Sequence, residues 1–184
     1  TLVVLGASGG VGLAAVELGK LMGAKVIAVA STEEKLELCK EYGADAVINY
    51  TKEDLKTRIK ELTDDRGADV IYDPVGGDYA EQALRGIAWE GRYLVIGFAA
   101  GSIPKIPLNL TLLKGCAIVG VFWGNFAIKT PKKNLENTLQ LMQWLAEGKL
   151  QPHIHKVYPL AEAKQALEEM MDRKVKGKVV IQCS

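Results

Sequence analysis

The sequence predicts an α/β protein with a doubly wound, mostly parallel sheet. Short apolar segments alternate with helical patterns at intervals of roughly 20 to 30 residues, which is typical of repeated strand–helix–strand units. A glycine-rich segment, residues 6–12, joins the first apolar segment directly to the first helical pattern. Residues 25–30 are apolar after the initial lysine, as expected for a parallel strand covered on both faces. Because parallel crossovers are right-handed, such units wind into one open sheet.

The first half of the chain contains four predicted strands and three predicted helices. The strands are residues 2–5, 25–30, 46–49 and 68–73. The helices run from the glycine segment to about Gly23, from a cap at Ser31 or Thr32 to Tyr42, and from about Asp54 to Leu62. Each boundary rests on ordinary signals, which are hydroxyl or carboxylate N-caps and glycine stops.

The second half continues the alternation and then changes character. Predicted strands are residues 91–97 and 117–122, and predicted helices are 79–88, 110–113 and 130–147, with a loop at 99–107. A short strand at 154–158, a helical stripe at 163–171 and a final strand at 178–182 follow. No linker divides the chain, so we expect one domain, 1–184, with 154–184 as its C-terminal segment.

Composition excludes several function classes. The net charge is +1, with 23 basic and 22 acidic residues, so bulk charge does not favour nucleic-acid binding. No apolar run approaches the ~20 residues of a membrane span, and we expect no membrane partner. The three cysteines are far apart, as expected for reduced thiols in a cytoplasmic protein, or in a mitochondrial protein whose targeting segment was removed. His153 and His155 could face one side of a strand as metal ligands or be ordinary surface residues, and no third ligand is evident.

The glycine segment has the form G-x-x-G-x-x-G, formed by Gly6, Gly9 and Gly12. In the order strand, turn, helix, the helix N-terminus directs free N–H groups and its positive dipole end at the turn. This arrangement predicts a dinucleotide pyrophosphate site. A tight turn without a ligand would produce the same triplet.

The end of the second predicted strand indicates which dinucleotide is bound. NAD-binding proteins usually carry Asp or Glu there to hold the ribose 2′-hydroxyl, whereas this chain has Ala30, Ser31 and Thr32. A hydroxyl at Ser31 and a cation at Lys35 favour the 2′-phosphate of NADP. Two alternatives remain open: Glu33 could reach the ribose, or Ser31 could only cap the helix while Lys35 is solvated.

The motifs resemble a known family in order and spacing. GASGGVG, AVASTEEKLELCKEYGADAVINY, DPVGG, GRYLVIGFAAG and the closing GKVVI look like the cofactor domain of zinc-independent medium-chain dehydrogenases/reductases, closest to the NADPH:quinone oxidoreductase branch. The resemblance covers essentially the whole chain. It implies a Rossmann fold, NADP(H) as cofactor, no metal, and hydride transfer to a quinone or a similar conjugated carbonyl substrate.

The resemblance also implies cofactor contacts, in four groups. The pyrophosphate group is Gly6, Ser8, Gly9, Gly10, Val11 and Gly12. The 2′-phosphate group is Ser31, Lys35, Tyr50 and Arg173, and the adenosine group is Pro74 and Val75. The nicotinamide group is Gly97, Phe98, Ala99, Phe122, Trp123 and Gly124.

Members of the family carry an N-terminal GroES-like domain that supplies most of the substrate pocket, and none of its sequence is present here. We therefore expect a domain of a longer protein, in which residues 154–184 return toward that substrate domain. No catalytic residue is assigned on this chain. Asp73 could act as an acid/base group or make structural hydrogen bonds. The alternatives to a reductase are a non-catalytic nucleotide-, protein- or RNA-binding module and an enoyl reductase fragment.

The sixth predicted strand indicates self-association. Its segment from Ile118 to Phe122 is apolar and uncharged, and an exposed edge of this kind tends to pair with another chain. Members of the resembled family pair at this strand. We therefore expect a homodimer formed through it.

Overall fold

The computed structural model describes residues 1–183; Ser184, the last residue of the predicted C-terminal segment, lies outside them. Six parallel strands form the main sheet in the order β3-β2-β1-β4-β5-β6. They are β1 (Leu2–Leu5), β2 (Val26–Ala30), β3 (Ala46–Asn49), β4 (Ala68–Asp73), β5 (Ile87–Val95) and β6 (Ala117–Gly120). This order reverses between β1 and β4, which confirms the doubly wound fold and places a ligand crevice at their carboxyl ends.

A second parallel sheet contains only β7 (Ile154–Pro159) and β8 (Lys178–Gln182). The helices are α1 (Gly10–Leu21), α2 (Glu33–Glu41), α3 (Leu55–Glu61), α4 (Tyr79–Arg85), α5 (Asn109–Lys114), α6 (Trp123–Lys129), α7 (Pro131–Ala146) and α8 (Ala163–Met171). A single 3-10 turn, Leu160–Glu162, precedes α8. Within residues 1–183, no helix combines the length and apolar character that crossing a membrane requires.

Two apolar cores lie on opposite faces of the main sheet. Side chains from α3, α4 and α5 pack on one face, and side chains from α1 and α2 pack on the other. β2 is buried along its whole length, which explains its unbroken apolar sequence. Because helices pack on both faces of β2, the residues at its carboxyl end, Ala30 and Ser31, have a defined position.

The predicted boundaries differ from the structure around β5 and β6. α4 ends at Arg85 and not at residue 88, and Gly86 caps it, so Ile87 already pairs with Ala68 of β4. A bulge with Glu90 at φ 59° follows, which the strand prediction beginning at 91 did not anticipate. β6 ends at Gly120, and α6 was not predicted, because this seven-residue helix is too short to show a clear helical period and buries no residue.

Candidate dinucleotide site

A groove of about 480 Å³ lies at the carboxyl ends of the central strands, and we call it the strand-end groove. It brings together residues from six separate parts of the chain. The predicted cofactor residues that line it are Gly6, Ser8, Gly9, Ser31, Lys35, Tyr50, Val75, Ala99 and Arg173. Ala30, Ala100, Met170, Met171 and Val175 complete the lining.

The glycine segment requires its glycines for packing as well as for conformation. Gly6 has φ +57°, and a Cβ on it would lie 2.7 Å from Cγ2 of Val75. A Cβ on Gly12 would lie 2.3 Å from the carbonyl oxygen of Gly6, closer than any real contact. α1 therefore packs directly on the turn that precedes it, and its N-terminus is held at the groove.

The N-terminus of α1 keeps its backbone donors available. The N-cap is Gly9, with extended φ/ψ and no side-chain cap within the described chain. No acidic residue occupies the first turn. Uncapped N–H groups at a helix N-terminus suit a phosphate, so the cradle fits the pyrophosphate of a dinucleotide.

At the exit of β2, Ser31 and Lys35 both line the groove. Thr32, and not Ser31, caps α2 by accepting a hydrogen bond from the backbone N–H of Lys35 at 3.3 Å. The alternative that Ser31 only caps the helix is therefore wrong. The Lys35 ammonium lies 3.4 Å from the Ser31 hydroxyl and donates to the carbonyl of Arg173 at 2.9 Å. A hydroxyl and a cation thus sit side by side in the groove.

The connector between α8 and β8 forms another wall of the strand-end groove, through Arg173 and Val175. Arg173 adopts φ +58°, a left-handed conformation unusual for a residue with a side chain, and it ends α8 where glycine is the common choice. Further along, the N–H of Gly177 donates to the carbonyl of Ser8 at 2.8 Å. The C-terminal segment is therefore attached to both the glycine segment and α2.

Tyr50, which also lines the groove, packs its ring against that of Tyr79, with 4.3 Å between the ring centroids.

The groove carries positive charge at its α2 end. Lys35 and Arg173 line it, and no acidic residue appears among its described lining residues. Glu33 is held elsewhere, by Asn49 at 2.7 Å and Lys52 at 3.0 Å, and these hydrogen bonds lower its pKa. Glu34 pairs with Lys176 at 2.5 Å, and that contact lowers the pKa of Glu34. The electrostatic potential at the α2 end of the groove therefore favours an anion such as a 2′-phosphate.

Asp73 stabilises the turn beside the groove. Its Oδ1 accepts hydrogen bonds from the N–H groups of Val75 and Gly76 at 2.7 and 2.8 Å, and its Oδ2 accepts one from the hydroxyl of Tyr93. The carboxylate is 3% exposed. Burial, together with the Asp73 charge, raises the pKa of Tyr93, so its hydroxyl remains a donor. These contacts supply the structural role considered for Asp73 from the sequence.

Other predicted residues lie outside the groove lining. Gly10 and Val11 line a separate cavity beside α1, and Gly12 packs against Gly6 and Ala7 of the turn. Pro74 accepts from the N–H of Ala99 at 3.0 Å, whereas Phe98 lines a small apolar cavity with Tyr93 and Ile106. The remaining members are Gly97, beside Pro74, and Phe122, Trp123 and Gly124, at the start of α6. The aromatic rings of Phe122 and Trp123 are largely exposed.

The histidine pair has protein partners. His153 Nδ1 lies 3.3 Å from the hydroxyl of Tyr42, and His155 Nε2 lies 4.0 Å from a Glu169 oxygen. Within the described part of the chain, no three His, Cys, Asp or Glu side chains are grouped so that they could hold a metal ion.

Asn49 is the residue at this end of the groove that sequence reasoning missed. It is 3% exposed, and its amide holds the Glu33 carboxylate across 16 positions of sequence. In the sequence, the only signal for Asn49 is its position at the end of a predicted strand. An asparagine there also fits an ordinary turn, as its bonds to Thr51 show.

Comparisons with known proteins agree with this geometry. The zinc-binding dehydrogenase family model matches residues 10–144. A quinone oxidoreductase-like protein 2 homolog from Nematostella vectensis is 43% identical over 183 residues, which cover 98% of this chain and 50% of that protein. The Escherichia coli quinone oxidoreductase solved in complex with NADPH superposes with a TM-score of 0.90 at 29% identity, covering 99% of this chain and 56% of the other.

The same fold also occurs in a relative that uses the other dinucleotide. A solved NAD-dependent alcohol dehydrogenase has a TM-score of 0.88 and 33% identity, covering all of this chain and 51% of the other. The choice between the two cofactors must therefore rest on the side chains at the groove. This chain spans about half the length of the relatives that it matches.

Proposed function

We propose that this chain, which belongs to the zinc-binding dehydrogenase family and is quinone oxidoreductase-like, is the NADP(H)-binding part of an oxidoreductase. The observation that carries the proposal is the strand-end groove. It joins an uncapped helix N-terminus to a hydroxyl and a cation at the exit of β2, without an acidic lining residue in the described chain.

The residues that would hold the cofactor divide between its two phosphate regions. The backbone of the loop from Ser8 to Val11, at the N-terminus of α1, would hold the pyrophosphate. Ser31, Lys35, Tyr50 and Arg173 would hold the 2′-phosphate, where a charged donor strengthens each hydrogen bond. When bound, the cofactor supplies the hydride, and the chain's own residues bind and orient it.

The substrate is proposed to be a quinone or a similar conjugated carbonyl compound, and this rests on the kinship with quinone oxidoreductases. Gly97, Phe98, Ala99, Phe122, Trp123 and Gly124 are proposed to flank the nicotinamide. Residues 154–184 are proposed to lead back toward a substrate domain. Independence from zinc is part of the same proposal, and no catalytic residue is assigned.

A homodimer through β6 is also proposed. β6 is an edge strand of the main sheet, and all four of its residues are exposed. Ile118 and Val119 in β6, and Val121 directly after it, present exposed apolar side chains along this edge. An exposed apolar edge supports pairing with a second copy.

Two measurements test the proposed function. Calorimetric titration with NADPH should give a one-to-one complex, and absence of binding at millimolar NADPH in low salt would contradict the proposal. A spectrophotometric assay of NADPH oxidation by a quinone tests hydride transfer, for this chain and for the same chain joined to a substrate domain. Binding without turnover in both forms would favour the non-catalytic module.

A further inference from the structure

We propose that Asn49 is a specificity-determining positioning residue, which holds the Glu33 carboxylate at the exit of β3 and so keeps it away from the 2′-phosphate end of the strand-end groove. This inference rests on the proposed function, because it concerns the choice between NADP(H) and NAD(H).

The starting observation is the position of Glu33. It is the first residue of α2, two positions after Ser31, where a carboxylate could turn toward a ribose. It does not line the strand-end groove, whereas Ser31 and Lys35 do. Its Oε1 instead accepts hydrogen bonds from Nδ2 of Asn49 at 2.7 Å and from Nζ of Lys52 at 3.0 Å.

Asn49 is fixed as a donor toward Glu33. Its Oδ1 accepts from the N–H of Thr51 at 3.1 Å and from the Thr51 hydroxyl at 2.7 Å. Since a backbone N–H can only donate, the amide oxygen must face Thr51 and the amide nitrogen must face Glu33. The N–H of Asn49 also donates to Glu53 at 2.7 Å, which anchors the backbone.

Burial of Asn49 restricts its side chain to this arrangement. Asn49 is 3% exposed, so its amide has few other positions to adopt, whereas Glu33 lies on the surface and would otherwise sample several. Asn49 pairs with Ala30 in the register of β3 and β2, which places it beside the strand exit that leads to Ser31. A carboxylate released at this exit would repel a 2′-phosphate and could accept a hydrogen bond from a ribose 2′-hydroxyl.

The test compares dissociation constants for NADPH and NADH by calorimetric titration. In Asn49→Ala we expect the preference for NADPH to fall about three- to fivefold, the range of an exposed charge interaction. Adding Glu33→Gln to Asn49→Ala should restore the preference, because the released side chain is then neutral. Asn137→Ala is the matched control: it makes the same substitution at an exposed position of α7, outside the groove lining, so the preference should be unchanged.

A second variant covers the case in which Asn49→Ala does not fold. Lys52→Met removes the other donor to Glu33 at an exposed position, and we expect a smaller fall in preference that Glu33→Gln reverses. Unchanged preference in both variants, or a fall that Glu33→Gln leaves in place, would overturn the inference alone. Failure of the unsubstituted chain to bind NADPH would overturn the proposed function and this inference with it.

Discussion

The ammonium of Lys35 donates a hydrogen bond to the backbone carbonyl of Arg173 at 2.9 Å, although the two residues are 138 positions apart. This contact joins the first turn of α2 to the connector that follows α8. Both residues line the strand-end groove. A phosphate arriving there would compete with a neutral carbonyl for the ammonium, and the charged acceptor makes the stronger hydrogen bond.

Gly12 is expected to be essential for the turn beneath the groove. In Gly12→Ala the new Cβ would lie 2.3 Å from the carbonyl oxygen of Gly6, so α1 must shift. We expect a loss of about 2 kcal/mol or more in the free energy of unfolding, together with weaker NADPH binding. Chemical denaturation measures the first effect and titration the second.

Gly120→Ala is the control for this substitution, because a Cβ on Gly120 meets nothing within 4 Å. It should leave both the stability and the NADPH affinity close to those of the unsubstituted chain. Equal effects of the two substitutions would show that the contact between Gly12 and Gly6 has no special role.

The hydrogen bond from Tyr93 to Asp73 should contribute to stability in a pH-dependent way. Tyr93→Phe removes a donor from a buried carboxylate, and we expect a loss of about 1.5–3 kcal/mol at neutral pH. Burial raises the pKa of Tyr93 in the folded state, so the unfolded chain loses this proton first as the pH rises. Stability from this residue is therefore complete below pH about 10 and declines above it.

Urea denaturation between neutral and alkaline pH checks both expectations. The unsubstituted chain should lose stability more steeply above pH about 10 than Tyr93→Phe does. Parallel pH profiles for the two proteins would contradict the assignment of this slope to Tyr93.

Self-association through β6 should be sensitive to a charge on the exposed edge. Val119 is 38% exposed, and Val119→Lys would place an ammonium at the proposed interface. We expect this variant to be monomeric by light scattering at tens of micromolar, where the unsubstituted chain is a dimer. Leu112→Lys, on the exposed face of α5, is the control and should leave the dimer intact. A monomeric unsubstituted chain would refute the proposed dimer.

The fold could be predicted from the sequence because its central strands, β1 and β2, are buried on both faces. Such strands appear as uninterrupted apolar runs, and the β1 and β3 boundaries agreed with the structure. The start of β5 could not be predicted, because Ile87 and Ala88 continue an apolar helical pattern. Their burial at 3% and 2% against β4 decides the outcome through tertiary packing.

The candidate site was predictable where its residues follow strand ends and unpredictable where they meet across the chain. Ser31 and Lys35 could be identified because they follow an apolar strand directly. The role of Asn49 depends on where the Glu33 carboxylate points, and a sequence carries no such information. The position of Arg173 likewise could not be predicted, because Arg173 itself adopts the left-handed conformation that turns the connector toward α2.

The affinity of Lys35→Ala for the two cofactors tests the central claim most directly. We expect its NADPH dissociation constant to rise about tenfold or more, because a charged hydrogen bond contributes about 1.5–3 kcal/mol, while NADH binding stays nearly unchanged. Lys40→Ala, in the same helix but paired with Glu37, is the control and should change neither affinity. Equal losses for NADPH and NADH in Lys35→Ala, or no loss for either, would contradict the assignment of this groove to a 2′-phosphate.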